Sequence, residues 1–174
     1  MANKHEFESL VYHLKAHLTL DGFDIRERVI VQWTNDVRAL GRCCNLSPDV
    51  ASLYFSETLL DIYDTEDGFE ACRNVIFHEL IHAMKSSGTG HGPKFQFIAG
   101  KINRKYSAHV TSRCVGADCD VWVKANLAAK RYKYHIYCAC GNVDTYKTRA
   151  CKRSKHPDLY YCPKCGGSLM VDDL

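Results

Sequence analysis

"HELIHAMKSSGTGHGPKF", residues 78–95, decides how this chain is read. His78 and His82 lie four apart with Glu79 beside the first, and His91 follows a stretch that holds Gly88 and Gly90. On an α-helix, residues four apart differ by only ~40° around the axis and one turn along it. Both imidazoles therefore leave the same face and can grip one ion from one side. A catalytic zinc takes three protein ligands and keeps its fourth position for water. Glu79 stands one step round the helix, close enough to that water to take its proton without binding the metal.

The flanking residues predict that helix. Phe69, Cys72, Val75, Ile76, Leu80 and Ala83 recur at helical steps; Thr65 or Asp67 can cap the start, and Gly88 offers a left-handed C-terminal residue. Pro93 suits the first turn of a further helix over roughly 93–106. For the third ligand, one extended zinc-protease pattern would need glycine at 85 and histidine at 88, but Lys85 and Gly88 stand there. Another pattern takes a glutamate from a second helix, and the sequence has no Glu beyond Glu79. His91 is the strongest remaining donor, with His109 behind it and Asp118 or Asp120 behind that.

Working outward, Phe7, Leu10, Val11, Leu14 and Leu18 make residues 4–20 an amphipathic helix. "RVIVQW" (28–33) and "VASLYFS" (50–56) read as strands, and "ETLLDIY" (57–63) as a short helix. "NDVRALGRCCN" (35–45) is expected to return as the hairpin partner of the first strand, with Asn35-Asp36 near the turn. Beyond Tyr106 the texture changes, and residues 131–174 carry short strand-like runs with too few apolar residues for a core of their own.

A metal supplies the missing staple. Cys138-x-Cys140 and Cys162-x-x-Cys165 are separated by 21 residues, and each pair is followed by glycine, which permits a tight turn around a four-thiolate zinc. With all four positions filled by cysteine, that ion is structural. Cys151 and His156 lie between the pairs and could replace one ligand. Cys43, Cys44, Cys72, Cys114 and Cys119 read as small buried hydrophobes or spare thiols.

Composition sets the remaining bounds. Apolar residues at 46% and charged residues at 25% of 174 exclude global disorder. Glu6, Glu8 and Lys15 interrupt any signal-peptide core, and no apolar run reaches the ~18 residues that span a bilayer. We therefore expect a cytoplasmic chain with no membrane contact, whose ten cysteines stay reduced and serve metals first. Residues 1–100 hold 9 basic against 14 acidic residues, and residues 101–174 hold 14 against 6. The basic end interleaves cations with tyrosines at Lys130, Arg131, Lys133, Lys147, Arg149, Lys152 and Arg153, a composition suited to phosphates and unpaired bases.

In order, "GRCCN" (41–45), "YFSETLL" (54–60), "HELIHA" (78–83), "GHGPKF" (90–95) and the CxC…CxxCGG ribbon resemble the SprT-like zinc metalloproteases, the family of Spartan. The resemblance runs from about Arg28 to Met170, with a stretch between His82 and His91 that is shorter than in Spartan. It implies zinc on His78, His82 and His91, catalysis by Glu79, and protein substrates that are DNA-bound or DNA-crosslinked. The fold expected is α+β: helices around a small antiparallel sheet in a protease domain over residues 1–110, a connector over 111–130, and a zinc-ribbon module over 131–174. Two zinc ions are expected, one catalytic and one structural. The rival readings are a zinc-containing nucleic-acid-binding protein without turnover and a DNA-independent cytosolic peptidase.

Overall fold

β-Branched and aromatic residues make strands of Arg28–Thr34 (β1) and Val50–Ser56 (β3), and Gly41–Asn45 forms β2 between them. The computed structural model describes residues 4–36, 39–88, 90–112 and 132–174. The sheet order is β1-β3-β2. Central β3 buries Ala51, Leu53 and Phe55 on one face and Ser52 and Ser56 on the other, as a strand covered on both sides does.

The expected β1–β2 hairpin does not form. β1 runs parallel to β3, from Arg28↔Val50 to Thr34↔Ser56, while β2 pairs antiparallel with β3. The tight turn lies at residues 46–49, where the Leu46 and Ser47 amides both donate to the Val50 carbonyl, at 2.9 and 3.2 Å. Ser47 Oγ also accepts from the Asp49 amide at 3.3 Å. Ser47-Pro48-Asp49 is a stronger turn cluster than Asn35-Asp36, because proline presets φ while both flanking side chains can bond the local backbone. The sheet is therefore mixed rather than antiparallel, and β2 is one of its edges.

Helix α1 (Lys4–Leu20) drives Phe7, Val11, Leu14 and Leu18 into the core, as its periodicity predicts. Phe7 meets Trp33 and Phe55 edge-on at 5.1 Å each. Each large apolar side chain buried in this way contributes roughly 1.5–3 kcal/mol. In place of the short helix expected over 57–63 there is a single 3-10 turn at Glu57–Leu59.

Helix α2 (Glu66–His82) is capped by Thr65, whose Oγ1 accepts from the Gly68 amide at 3.1 Å. It ends six residues before Gly88, which has a positive φ but takes no part in the cap. Side chains from β2 and from the segment before β1 end it instead. Asn45 Nδ2 donates to the His82 carbonyl at 3.2 Å, and Arg26 Nη1 donates to the Ala83 and Met84 carbonyls at 2.9 and 3.1 Å. Carbonyls that the last helical turn leaves without partners are satisfied there.

Helix α3 (Pro93–Tyr106) starts on its proline and ends at Ser107, a left-handed residue. Arg73 of α2 donates to the Tyr106 and Ser107 carbonyls, and Asn103 brackets Val110 with two hydrogen bonds. These contacts carry the chain back alongside α2 as far as Thr111.

By its contacts the chain divides into two compact units, residues 1–122 and 123–174. Of the expected connector, 111 and 112 alone lie among the described residues. In the second unit, β4 (Tyr134–Tyr137) pairs antiparallel with β5 (Asp144–Lys147) and with β6 (Met170–Asp173). The "LYYC" run contributes one bridge, Tyr161↔Ser168, rather than a strand. Ile136, Cys138, Cys162 and Leu169 form this unit's small core. The class is α+β throughout, and among the described residues no helix is long and apolar enough to cross a membrane.

Candidate metal centre

The four-residue spacing on α2 puts His78 and His82 on one face, and the turn before α3 returns His91 to meet them. Their Nε2 atoms form a triangle with sides of 3.2 Å (His78–His82), 3.0 Å (His82–His91) and 2.9 Å (His78–His91). Hydrogen bonding cannot account for all three sides. A protonated imidazole nitrogen only donates and an unprotonated one only accepts. Of three nitrogens at least two are alike, so one side is always donor against donor or lone pair against lone pair. A cation at the point of convergence removes that conflict.

The surroundings prepare three lone pairs. His78 Nδ1 lies 3.0 Å from the Thr111 carbonyl, which can only accept, so its proton sits on Nδ1 and Nε2 is left bare. Burial, then the neighbouring His82 and His91, pulls His78 down to about 3. Burial, then His91, pulls His82 down to about 4. Both rings are neutral near pH 7, the state a metal requires. Phe95, on the first turn of α3, lies 4.9 Å from each of the three imidazoles, centroid to centroid, and forms the apolar wall behind them.

Glu79 is 3% exposed and points toward the sheet. A methyl group added to Gly41 would lie 2.7 Å from Glu79 Cγ and Oε1 and 2.9 Å from Cδ. Any side chain at position 41 would force this carboxylate to shift. Burial raises the Glu79 carboxyl to about 8, and a divalent cation on the adjoining histidines would draw it back down. Cys43, two residues along the same face of β2, is pushed up to about 12 by burial and then by Glu79, so it is an inert thiol there. The helix end carrying His82 is held by Asn45 from the same strand.

Gly41, Asn45, Phe95 and Thr111 are the parts of this centre that residue patterns did not single out for a role. "GRCCN" and the Phe95 position were visible as signals without a stated job. Nothing local marks Thr111, which contributes through its backbone. His109 is exposed and uses its amide on Asn74, away from the triangle. Asp118, Asp120, Cys114 and Cys119 lie outside the described residues.

The cysteine cluster is built differently. Cys138 Sγ lies 3.4 Å from those of Cys140 and Cys165, and Cys140 Sγ lies 3.5 Å from that of Cys162. These distances far exceed an S–S bond of ~2.05 Å and approach the ~3.8 Å edge of a tetrahedron with Zn–S of ~2.3 Å. Two knuckles shape it. Cys138 and Cys162 each open a turn closed by a positive-φ glycine, Gly141 and Gly166, whose amides return to the opening cysteines' carbonyls at 2.8 and 2.9 Å. Backbone amides of Cys165 and then Lys164 pull the Cys162 thiol down to about 6, toward the thiolate a metal needs. Cys151 packs against this core and caps a helical turn at Lys152–Lys155, and neither it nor His156 belongs to the four-sulfur group.

The cations expected to meet nucleic acid lie at the surface of the second unit wherever they are described. Lys133, Lys147, Arg149, Lys152 and Arg153 are all exposed, and Arg153 lies over the Tyr160 ring at 5.7 Å. Lys130 and Arg131 lie outside the described residues. Tyr134 stands opposite Lys147 in the β4–β5 register. Tyr146 and Tyr137 stack on the two sides of His135 at 4.4 and 4.6 Å, and His135 Nε2 pairs with Asp144 at 2.6 Å.

Residues 4–115 match the model of the SprT-like family. No curated protein matches the chain.

Proposed function

The chain belongs to the SprT-like family, and from that premise we propose that it is a zinc-dependent metallopeptidase acting on DNA-associated or DNA-crosslinked proteins. The observation that carries the reading is the Nε2 triangle of His78, His82 and His91, with sides of 2.9–3.2 Å, beside the buried Glu79. The donor set fits zinc: three neutral imidazoles, one of them oriented by the Thr111 carbonyl. Zinc bound there supplies Lewis acidity, lowering the pKa of water toward about 7 and polarising a peptide carbonyl.

The chain's own residues divide the remaining work. His78 and His82 hold their lone pairs at fixed spacing because one helical turn separates them, and His91 closes the set from the loop. Glu79 is the general base: it takes the proton of the attacking water and delivers it to the leaving amine. Gly41 leaves the carboxylate room to reach that water, and Phe95 keeps solvent from the rear of the imidazoles. Cys138, Cys140, Cys162 and Cys165 hold a second, structural zinc with no position open to substrate. Contact with DNA is assigned to the cations of the second unit, supported by the charge excess beyond residue 100.

The deciding comparison is wild type against Glu79→Gln, each incubated with a DNA-binding protein, with and without single-stranded DNA. Wild type should cleave it, faster with DNA, and the variant should lose about 10²–10⁴-fold in rate while keeping its zinc. Equal products from the two proteins would end the peptidase reading. Cleavage that ignores DNA and salt would leave a DNA-independent peptidase.

A further inference from the structure

Helix α3 does more than close the metal centre. Its 14 residues carry Lys94, Lys101, Arg104 and Lys105 and no acidic residue, although residues 1–93 hold 8 basic against 14 acidic. At 100° per residue these four cations and Phe97 share an arc of about 100°, turned away from the buried Phe95, Ile98, Ala99 and Ile102. Phe97, at 63% exposure, sits inside that arc, with Lys101 Nζ 4.5 Å from its ring centroid.

Helix electrostatics explains part of this and not the rest. Arg104 and Lys105 favour the negative C-terminal end of α3, and Lys105 pairs with Asp21 at 2.5 Å. Lys94 lies in the first turn, where a cation opposes the helix dipole, and Lys101 lies beyond the reach of either end. Among the described residues, Lys94, Lys101 and Arg104 have no ion-pair partner. Beside the arc a cavity of about 430 Å³ is lined by Lys101, Arg104, Lys105, Asp21, Gly22 and Phe23.

We propose that this face of α3 is a docking surface for single-stranded nucleic acid, with phosphates at Lys94, Lys101 and Arg104 and an unpaired base stacked on Phe97. Charge excess supplies affinity for a polyanion, and an exposed aromatic ring among cations adds stacking that only an unpaired base can use. An anionic lipid surface fits less well, because a membrane-binding helix presents a broad apolar face, and that of α3 is spent on the core. The proposal extends the nucleic-acid part of the proposed function to the unit that carries the histidines, and it does not depend on peptide hydrolysis.

The test uses the full chain with Glu79→Gln, to prevent self-cleavage, and a fluorescent oligo-dT of about 15 nucleotides titrated at several salt concentrations. Lys101→Glu with Arg104→Glu should weaken binding at least tenfold and flatten the log–log salt dependence by about 1.4, for two lost phosphate contacts. Phe97→Ala should weaken it about tenfold with the salt slope unchanged. Unchanged thermal melts confirm that these exposed substitutions leave the fold intact. If both variants bind like the parent while Lys152→Glu with Arg153→Glu abolishes binding, the α3 proposal fails and the contact assigned to the second unit stands. Failure of the parent to bind any oligonucleotide would overturn both. Tighter binding to phosphatidylserine vesicles than to oligo-dT, lost on Phe97→Ala, would replace nucleic acid with a lipid surface.

Discussion

The histidine triangle and the cysteine cluster stand in opposite relations to their surroundings. The triangle is an attachment to a core made of other residues: Phe7, Phe55, Phe77, Leu53 and Ile76 are fully buried in the first unit, and none of them belongs to the triangle. The cysteine cluster is the core, since two of the four residues at the centre of the second unit, Cys138 and Cys162, belong to the four-sulfur group that could hold a metal. On the proposed reading, an ion at the histidines would serve chemistry on a scaffold already standing, and one at the cysteines would substitute for apolar burial that a small module cannot supply.

The largest effect that follows is on the second unit. Cys162→Ser, or a strong chelator, should unfold residues 132–174, since a structural zinc supplies roughly 10–16 kcal/mol of apparent folding energy. Limited proteolysis should then cut that region while residues 4–112 survive. Survival of both units after complete zinc removal would erase the contrast. Core truncation tests the other side: Phe77→Ala should cost the first unit about 3–5 kcal/mol in chemical unfolding. Zinc held by the four cysteines should be unaffected.

A subtler variant separates geometry from stability. Gly41→Ala should lower kcat roughly 10–100-fold, or about 1.4–2.7 kcal/mol, with zinc content and KM little changed. Combined with Glu79→Asp, whose shorter side chain withdraws from β2, it should add almost nothing to the loss from Glu79→Asp alone. Full additivity would mean that the strand and the carboxylate act independently. The smallest effect expected is that of Thr65→Ala, about 1 kcal/mol from the lost cap of α2, read as a shift in the first unit's melting temperature.

What could be read from residue order divides along the range of the interactions. α1, α2 and α3 were legible because their signals are local: an apolar period, Thr65 before the first turn, Pro93 at the head of the next. The convergence of His78, His82 and His91 was legible because two share a helix face and elimination favoured the third. Strand existence was legible, but strand pairing was not. β1 and β3 pair in parallel across residues 35–49, and the local clue, the Ser47-Pro48-Asp49 turn, marks the β2–β3 hairpin without saying where β1 pairs. The end of α2 was misplaced because its carbonyls are satisfied by Arg26 and Asn45, residues remote in sequence, rather than by the nearby Gly88. Gly41 escaped for the same reason, since its role is a contact with a side chain 38 positions away.

Between His91 and Pro93 stands a single residue, Gly92, and two positions past the proline Phe95 leans on all three rings. The first turn of α3 is thus the lever arm of the third ligand. A load on the outer side of that helix reaches His91 through two peptide links and all three imidazoles through the Phe95 ring. With a metal held by the three histidines, its occupancy and the tilt of α3 would be a single mechanical variable, so a spectroscopic probe on either should register what is done to the other.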